Sequence, residues 1–149
     1  AADRTLGKLV KWMRILGFDT ICELEISSKS FFDNLEGTRI LLTRTKKIQE
    51  KFSTYRTVFI TSNFLVEQLK QVVNQIGINL ADTRPFSRCI HCNLPIGEVN
   101  KDDVYGLVPD YIWETQETFN RCSHCERIYW PGSHAEHSQE VIKRIFKSV

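Results

Sequence analysis

Apolar positions recur at helical spacing in two long segments of the chain and form short runs between them. In residues 5–16, positions 6, 9, 10, 13 and 16 are Leu, Val or Met, and this spacing predicts an amphipathic helix that Gly17 ends. The same pattern predicts a second long helix at residues 64–76. Runs rich in Ile, Leu, Val and Thr predict strands at residues 39–43 and 56–60. Weaker patterns predict strands at 20–24 and 78–80, short helices from Ser28 and over 45–52, and a final helix at 138–146.

Strands and helices that alternate in this way predict an α/β fold with a parallel sheet flanked by helices. The alternation stops after Ala81, and the following residues contain Pro85 and polar neighbours. We therefore place a boundary near residue 84, between an α/β domain of residues 1–84 and a small module of residues 85–149 that includes the final helix. No apolar run approaches the roughly 18 residues that cross a bilayer, and no signal-peptide pattern is present, so no membrane association is expected.

Charge is unevenly distributed between these two parts. Residues 1–84 hold 13 Lys/Arg against 9 Asp/Glu, whereas residues 85–149 hold 7 against 9. The first part is thus the better candidate for a polyanion such as RNA, although charge runs are often only a solvated surface. Two sets of cations are the candidate phosphate contacts, one on the polar face of the first helix and one after the strand at 39–43: Arg4, Lys8, Lys11 and Arg14, and Arg44, Lys46, Lys47 and Lys51.

Four of the five cysteines form two Cys-x-x-Cys pairs, at Cys89 and Cys92 and at Cys122 and Cys125. Two such turns can supply four thiolates to one tetrahedral Zn²⁺, and a closed shell of this kind is structural. A dithiol redox pair is the alternative. Free thiolates indicate a reducing compartment, the cytoplasm or the nucleus, and Cys22 is expected in the core.

Aromatic residues surround the two cysteine pairs. Trp113, Phe119, Tyr129 and Trp130 are expected to form a small core around the zinc site, although each could instead stack on a base.

Several motifs resemble one known family. These are Ala2-Asp3-Arg4, Leu6-Gly7-Lys8-Leu9, Leu16-Gly17-Phe18-Asp19-Thr20, Arg39-Ile40-Leu41-Leu42-Thr43-Arg44, and the segments around both cysteine pairs, of which the second continues Ile128-Tyr129-Trp130. Together they are similar to the Mut-seven C-terminal RNase family. The resemblance implies a PIN-like nuclease fold with a zinc ribbon, carried at the C-terminus of a 3'-5' exoribonuclease of small-RNA silencing. The chain does not begin with Met, as expected of a segment of such a longer protein.

The resemblance also implies where a nuclease site would lie. PIN-type nucleases hold Mg²⁺ or Mn²⁺ through clustered carboxylates at the carboxyl ends of parallel strands. Asp3 matches the family's first acid, but Thr45 stands where the family has Asp, and residues 27–29 replace expected acids with Ser, Ser and Lys. Glu23 and Glu25 are the remaining candidates. We therefore expect that cleavage has been lost while contact with the RNA backbone has been kept.

Three functions follow from the sequence. The first is an RNA-binding, non-catalytic domain with a structural zinc that assists an exoribonuclease in RNA silencing. The second is an active ribonuclease in which Asp3, with Glu23 or Glu25, binds Mg²⁺ or Mn²⁺. The third is a docking module for a partner subunit of a silencing complex. Its candidate contacts are Phe31, Phe32, Tyr111 and Trp113.

Overall fold

The computed structural model describes residues 1–33, 35 and 39–147, and the chain alternates short strands with helices through most of these. The helices are α1 (Gly7–Ile15), α2 (Ser28–Asp33), α3 (Lys46–Lys51), α4 (Leu65–Ile76), α5 (Asp110–Thr115) and α6 (Ser133–Phe146). The strands are β1 (Leu41–Thr43), β2 (Thr57–Phe59), β3 (Gly97–Val99), β4 (Phe119–Arg121) and β5 (Ile128–Tyr129). Short 3-10 helices cover Arg4–Leu6, Leu80–Asp82 and Lys101–Val104.

The first half of the chain contains the predicted parallel sheet. Strand β1 pairs in parallel with β2, and Ala2 forms parallel bridges to both Cys22 and Leu42. Four extended segments therefore lie side by side, and all of them end at the same edge. The α/β class with a parallel sheet is confirmed.

Two predicted strands are not formed. The segment at 20–24 contributes only the bridge at Cys22, because the turn that follows begins within two residues. Residues 80–82 form a 3-10 helix, which a capping box between Asn79 and Asp82 stabilises.

Helices α1, α4 and α6 cover the sheet and enclose the main hydrophobic core. Cys22 lies in this core and is 2% exposed, as predicted. Helix α6 begins five residues before the predicted position. The sequence did not indicate this first part of the helix, because residues 133–137 are polar or small and lack an apolar period. Its Val141, Ile142 and Ile145 pack into the main core, so the boundary near residue 84 separates stretches of sequence that share one core.

Residues 85–131, which we call the four-cysteine module, lie in sequence between the α/β domain and α6. Strands β3, β4 and β5 form an antiparallel sheet in that order. The core of the module holds Phe119, and Trp113 and Trp130 pack against it, as predicted. Tyr129 instead directs its hydroxyl to Cys89 Sγ, 3.1 Å away.

A second small core lies beneath α2 and α3. Phe31 is fully buried there, and the rings of Phe32 and Phe52 stack with centroids 4.6 Å apart. Phe31 is therefore unavailable to a partner, and of the four docking candidates only Tyr111, 66% exposed, is a large exposed side chain. In the described part of the chain, no helix combines the length and apolar character that crossing a bilayer requires.

Candidate functional site

The four cysteines of the two Cys-x-x-Cys pairs meet in space. Their sulfur atoms all lie within 4.8 Å of one another, and Cys89 Sγ is 3.7 Å from Cys125 Sγ. A tetrahedral ion with metal–sulfur distances of roughly 2.3 Å separates its ligands by about 3.8 Å, so these residues fit a four-thiolate site. His91 and His124 are exposed and lie outside this group.

The two cysteine turns have the same backbone geometry. In each, the N–H after the second cysteine donates to the carbonyl of the first cysteine, over 3.0 Å in the first turn and 2.9 Å in the second. The donating residue has a positive φ, 61° at Asn93 and 62° at Glu126. Asn adopts this left-handed conformation readily, whereas Glu does so only where the surrounding structure requires it. The repeated geometry presents the thiols of both turns to a common centre.

Arg14 joins the four-cysteine module to the α/β domain. Its side chain is 1% exposed, and Nη1 donates to the carbonyls of Ile90 (2.8 Å) and His91 (3.1 Å) in the first cysteine turn. Nε and Nη2 donate to the Thr20 carbonyl, and the guanidinium also forms a two-bond ion pair with Glu25. The prediction that Arg14 lies on the exposed basic face of α1 is wrong, because these buried carbonyls surround it.

Asp19 and Asn93 form a second link between the same two parts. Asn93 Nδ2 donates to Asp19 Oδ1 over 2.7 Å, and Asn93 Oδ1 accepts from the Thr20 N–H over 2.9 Å. Asp19 also pairs with Arg39. The motif at residues 16–20 and the turn after Cys92 are thus joined directly by hydrogen bonds.

The carboxyl edge of the parallel sheet is where a nuclease of this fold would hold its metal ions. Asp3 lies at this edge and is fully buried. One carboxylate oxygen accepts from the Thr5 N–H (2.8 Å) and the Thr5 hydroxyl. The other accepts from the Thr43 hydroxyl, from the Arg44 N–H (3.0 Å) and, at 3.5 Å, from the Thr45 hydroxyl. These donors occupy the lone pairs that a metal ion would need.

The other two candidate acids are also engaged. Glu23 accepts from the Arg4 N–H (3.1 Å) and from the Arg4 guanidinium (3.0 Å). Glu25 is occupied by Arg14. Among the described residues, the only group of three or more His, Cys, Asp or Glu side chains close enough to share an ion is the cysteine group.

The remaining predicted phosphate contacts lie on α1, on α3 and in the residues that precede these two helices. Arg4, Lys8, Lys11, Lys46, Lys47 and Lys51 are exposed, and Arg44 is half-buried. Arg44 bonds the amide of Asn63, and the Lys51 ammonium lies 5.3 Å from the centroid of the Phe52 ring. Within the described ranges, Lys8, Lys11, Lys46 and Lys47 form no ion pair.

Asp3 should make stability depend on pH. Burial favours its neutral form, but hydrogen bonds from Thr43, Thr5 and Arg44 outweigh this effect and hold the pKa of Asp3 below its ordinary value of 3.8. A lowered pKa stabilises the folded chain above the unfolded value, and this stabilisation is lost as pH falls through the folded pKa. We expect Asp3→Asn to lower the free energy of unfolding by about 2 kcal/mol at pH 7.

Urea unfolding of both chains between pH 7 and pH 3 tests this expectation. The difference between wild type and Asp3→Asn should shrink toward the acid end, while metal loss at low pH acts on both chains alike. A difference that is the same at every pH would contradict the assignment.

A small parallel α/β domain joined to a four-thiolate module is the class of protein that this fold and site define. Over residues 1–142 the chain matches the family described as Mut7-C RNAse domain, and it belongs to this family. It is therefore a nuclease-like domain concerned with nucleic acid, and the resemblance seen in the sequence is confirmed. The comparison with curated proteins gave no match, and the comparison with solved structures gave none either.

Sequence reasoning missed the roles of Arg14 and Asn93, two of the residues that join the parts of the molecule. The signal for Asn93 was present, because Asn after a Cys-x-x-Cys pair suits a left-handed turn. No signal marked this role of Arg14, since two of the three carbonyls that it bonds belong to residues 76 and 77 positions away.

Proposed function

We propose that this chain is an RNA-binding domain whose nuclease site has been lost and that it assists an exoribonuclease in small-RNA silencing. The observation that carries the proposal is the state of Asp3. Its two oxygens are saturated by Thr5, Thr43, Thr45 and the Arg44 N–H, at an edge where a nuclease needs free carboxylates. The groups that surround Asp3 there are neutral hydroxyl and amide donors, so the neighbouring cations determine the sign of the electrostatic potential at this edge.

The RNA contacts that we propose are seven cations of the predicted set, without Arg14. They are Arg4, Lys8, Lys11, Arg44, Lys46, Lys47 and Lys51. Exposed Lys and Arg bind phosphates through charge, which gives affinity with little sequence preference. The lysines of α1 and of the start of α3 are the strongest candidates, because no carboxylate of the described residues neutralises them.

For the cysteine group we propose a structural Zn²⁺. Four thiolates favour a soft or borderline ion and leave no coordination position for water or substrate. The ion would hold the two cysteine turns together, and its removal would separate β3 from β4 and β5.

RNA binding should depend steeply on salt. For single strands, log K falls with log salt by about 0.7 for each phosphate contact. We expect the double substitution Lys8→Ala and Lys11→Ala to reduce this slope by about 1.4. The matched control removes Lys143 and Lys147, two exposed lysines at the end of α6, and should leave the slope unchanged. Fluorescence anisotropy with a labelled single-stranded RNA measures the salt slopes of both variants. An affinity that does not change with salt concentration would contradict the proposal.

The active ribonuclease is the alternative, and the same RNA tests it. With Mg²⁺ or Mn²⁺ added, we expect no cleavage above that of Asp3→Asn. Cleavage by wild type that both Asp3→Asn and Glu23→Gln abolish, with both variants folded, would establish the nuclease and overturn the proposal.

Docking of a partner subunit is the second candidate function. It is favoured by three large exposed side chains that lie in one seven-residue segment inside the four-cysteine module: Tyr105 (68% exposed), Leu107 (58%) and Tyr111 (66%). Co-purification of a partner with wild type but not with Tyr111→Ala would support docking.

A further inference from the structure

An apolar cavity lies where the four-cysteine module, α1 and α6 meet. Its volume is about 300 Å³, and Ile15, Tyr129, Trp130 and Ala135 are among its lining residues. We propose that this cavity binds one unpaired base of an RNA strand, an inference that rests on the proposed function. The cavity is distinct from the carboxyl edge of the sheet, so it adds a second kind of contact to the charged surface.

The walls of the cavity suit a flat aromatic ring. Unpaired bases bind proteins by stacking on aromatic side chains, and cavities of about 300 Å³ are at the small end of ligand sites. Tyr129 is fixed in place, since its hydroxyl contacts Cys89 Sγ at 3.1 Å. Trp130 packs against the core of the four-cysteine module around Phe119. The two rings are thus held in position before a ligand arrives.

Polar groups on the cavity wall can bond the edge of a base. The side-chain amides of Asn120 and Gln139 line the cavity, and neither forms a hydrogen bond to another described residue. An amide offers both donors and an acceptor, which match the mixed edges of bases. Asn120 is half-buried, so an aliphatic occupant that covered its amide would remove this group from water without offering it a partner. The lining therefore favours a base over a lipid chain.

The cavity also lies next to the exposed lysines of α1, Lys8 and Lys11. Lys8, Lys11 and Ile15 are spaced by three and four residues and therefore lie on one face of the helix. The first two are exposed, and Ile15 lines the cavity. A strand whose phosphates contact Lys8 and Lys11 is thereby directed to the cavity, where one base can turn inward.

Filling the cavity should remove the contribution of the base and leave the phosphate contacts intact. Ala135→Phe places a ring in the cavity from α6, and His137→Phe, exposed on the same helix and outside the lining, is the matched control. The probes are a single-stranded oligonucleotide and a ribose-phosphate chain of equal length without bases. We expect Ala135→Phe to weaken binding of the oligonucleotide about tenfold and to leave binding of the base-free chain unchanged. Asn120→Ala, which removes one amide without adding bulk, should weaken only the oligonucleotide.

The outcomes separate this inference from the proposed function. If each probe binds Ala135→Phe with the same affinity as wild type, the cavity binds no base, while the proposed RNA binding stands. If wild type binds neither probe, the proposed function fails and the inference fails with it. A mononucleotide should compete only at much higher concentration than the oligonucleotide, because it lacks the contacts along α1. Competition at equal concentration would assign the cavity to free nucleotides and overturn the RNA assignment.

Discussion

Replacing Cys122 with Ser should release the Zn²⁺ that we propose and unfold the four-cysteine module while the parallel sheet stays folded. Cys122 is fully buried, and its thiol is one of the four that lie within 4.8 Å of one another. Structural zinc contributes on the order of 10–16 kcal/mol to folding in small zinc peptides at neutral pH. The core of the module, built around Val104, Val108, Ile112 and Phe119, is too small to replace that contribution.

Metal analysis and amide hydrogen exchange measure this loss. Wild type should carry one zinc per chain, and Cys122→Ser should carry none and lose protection in β3, β4 and β5. Cys22→Ala is the matched control, because it removes a buried cysteine of the main core and should keep one zinc. A Cys122→Ser chain that retains its zinc and its protected amides would show that the cysteine group is not a metal centre.

The features of this molecule that its sequence predicts are those whose signal lies in a short stretch of the chain. The helices α1 and α4 follow from periodicity, and the cysteine group follows from two short spacings, because each signal lies within a few neighbouring residues. The strand at 78–80 failed because the capping box of Asn79 and Asp82 stabilises a 3-10 turn instead. Asp3 was recognised as an acid at the sheet edge, but its saturation depends on Thr43, 40 residues away, which spacing cannot reveal.

The cavity between α1, β5 and α6 is a stronger example of the same limit. Its walls come from Ile15 and, more than 100 residues later in the chain, from Tyr129 and Ala135. The aromatic residues near the cysteines gave two interpretations, a small core and a stacking surface. Trp130 packs against the Phe119 core, as the core interpretation expects. It also lines the cavity, so the same side chain is consistent with the stacking interpretation.

Replacing Arg14 with Met should be the most destabilising single change outside the cysteine group. The guanidinium is 1% exposed and bonds the carbonyls of Thr20, Ile90 and His91. Met fills a similar volume but leaves the buried Thr20 carbonyl and the part-buried carbonyls of Ile90 and His91 without their donor. A buried acceptor left without a partner costs about 1–3 kcal/mol, so we expect the free energy of unfolding to fall by about 3 kcal/mol. Arg14→Lys keeps the charge but not the planar set of five donors, so it should recover only part of the loss.

Urea unfolding followed by tryptophan fluorescence measures the effect of Arg14→Met, with Lys11→Met as the matched control. Lys11 lies on the same helix and is exposed, so its substitution should change the free energy of unfolding by less than about 0.5 kcal/mol. Because Glu25 is 42% exposed, Glu25→Gln should cost about 1 kcal/mol or less, which would assign most of the effect to the carbonyls. RNA binding gives the opposite ranking: Lys11→Met should weaken it, and Arg14→Met should not while the chain remains folded. If Arg14→Met instead lowered RNA affinity and left stability unchanged, Arg14 would be a phosphate contact and its place between the two parts of the molecule would be wrong.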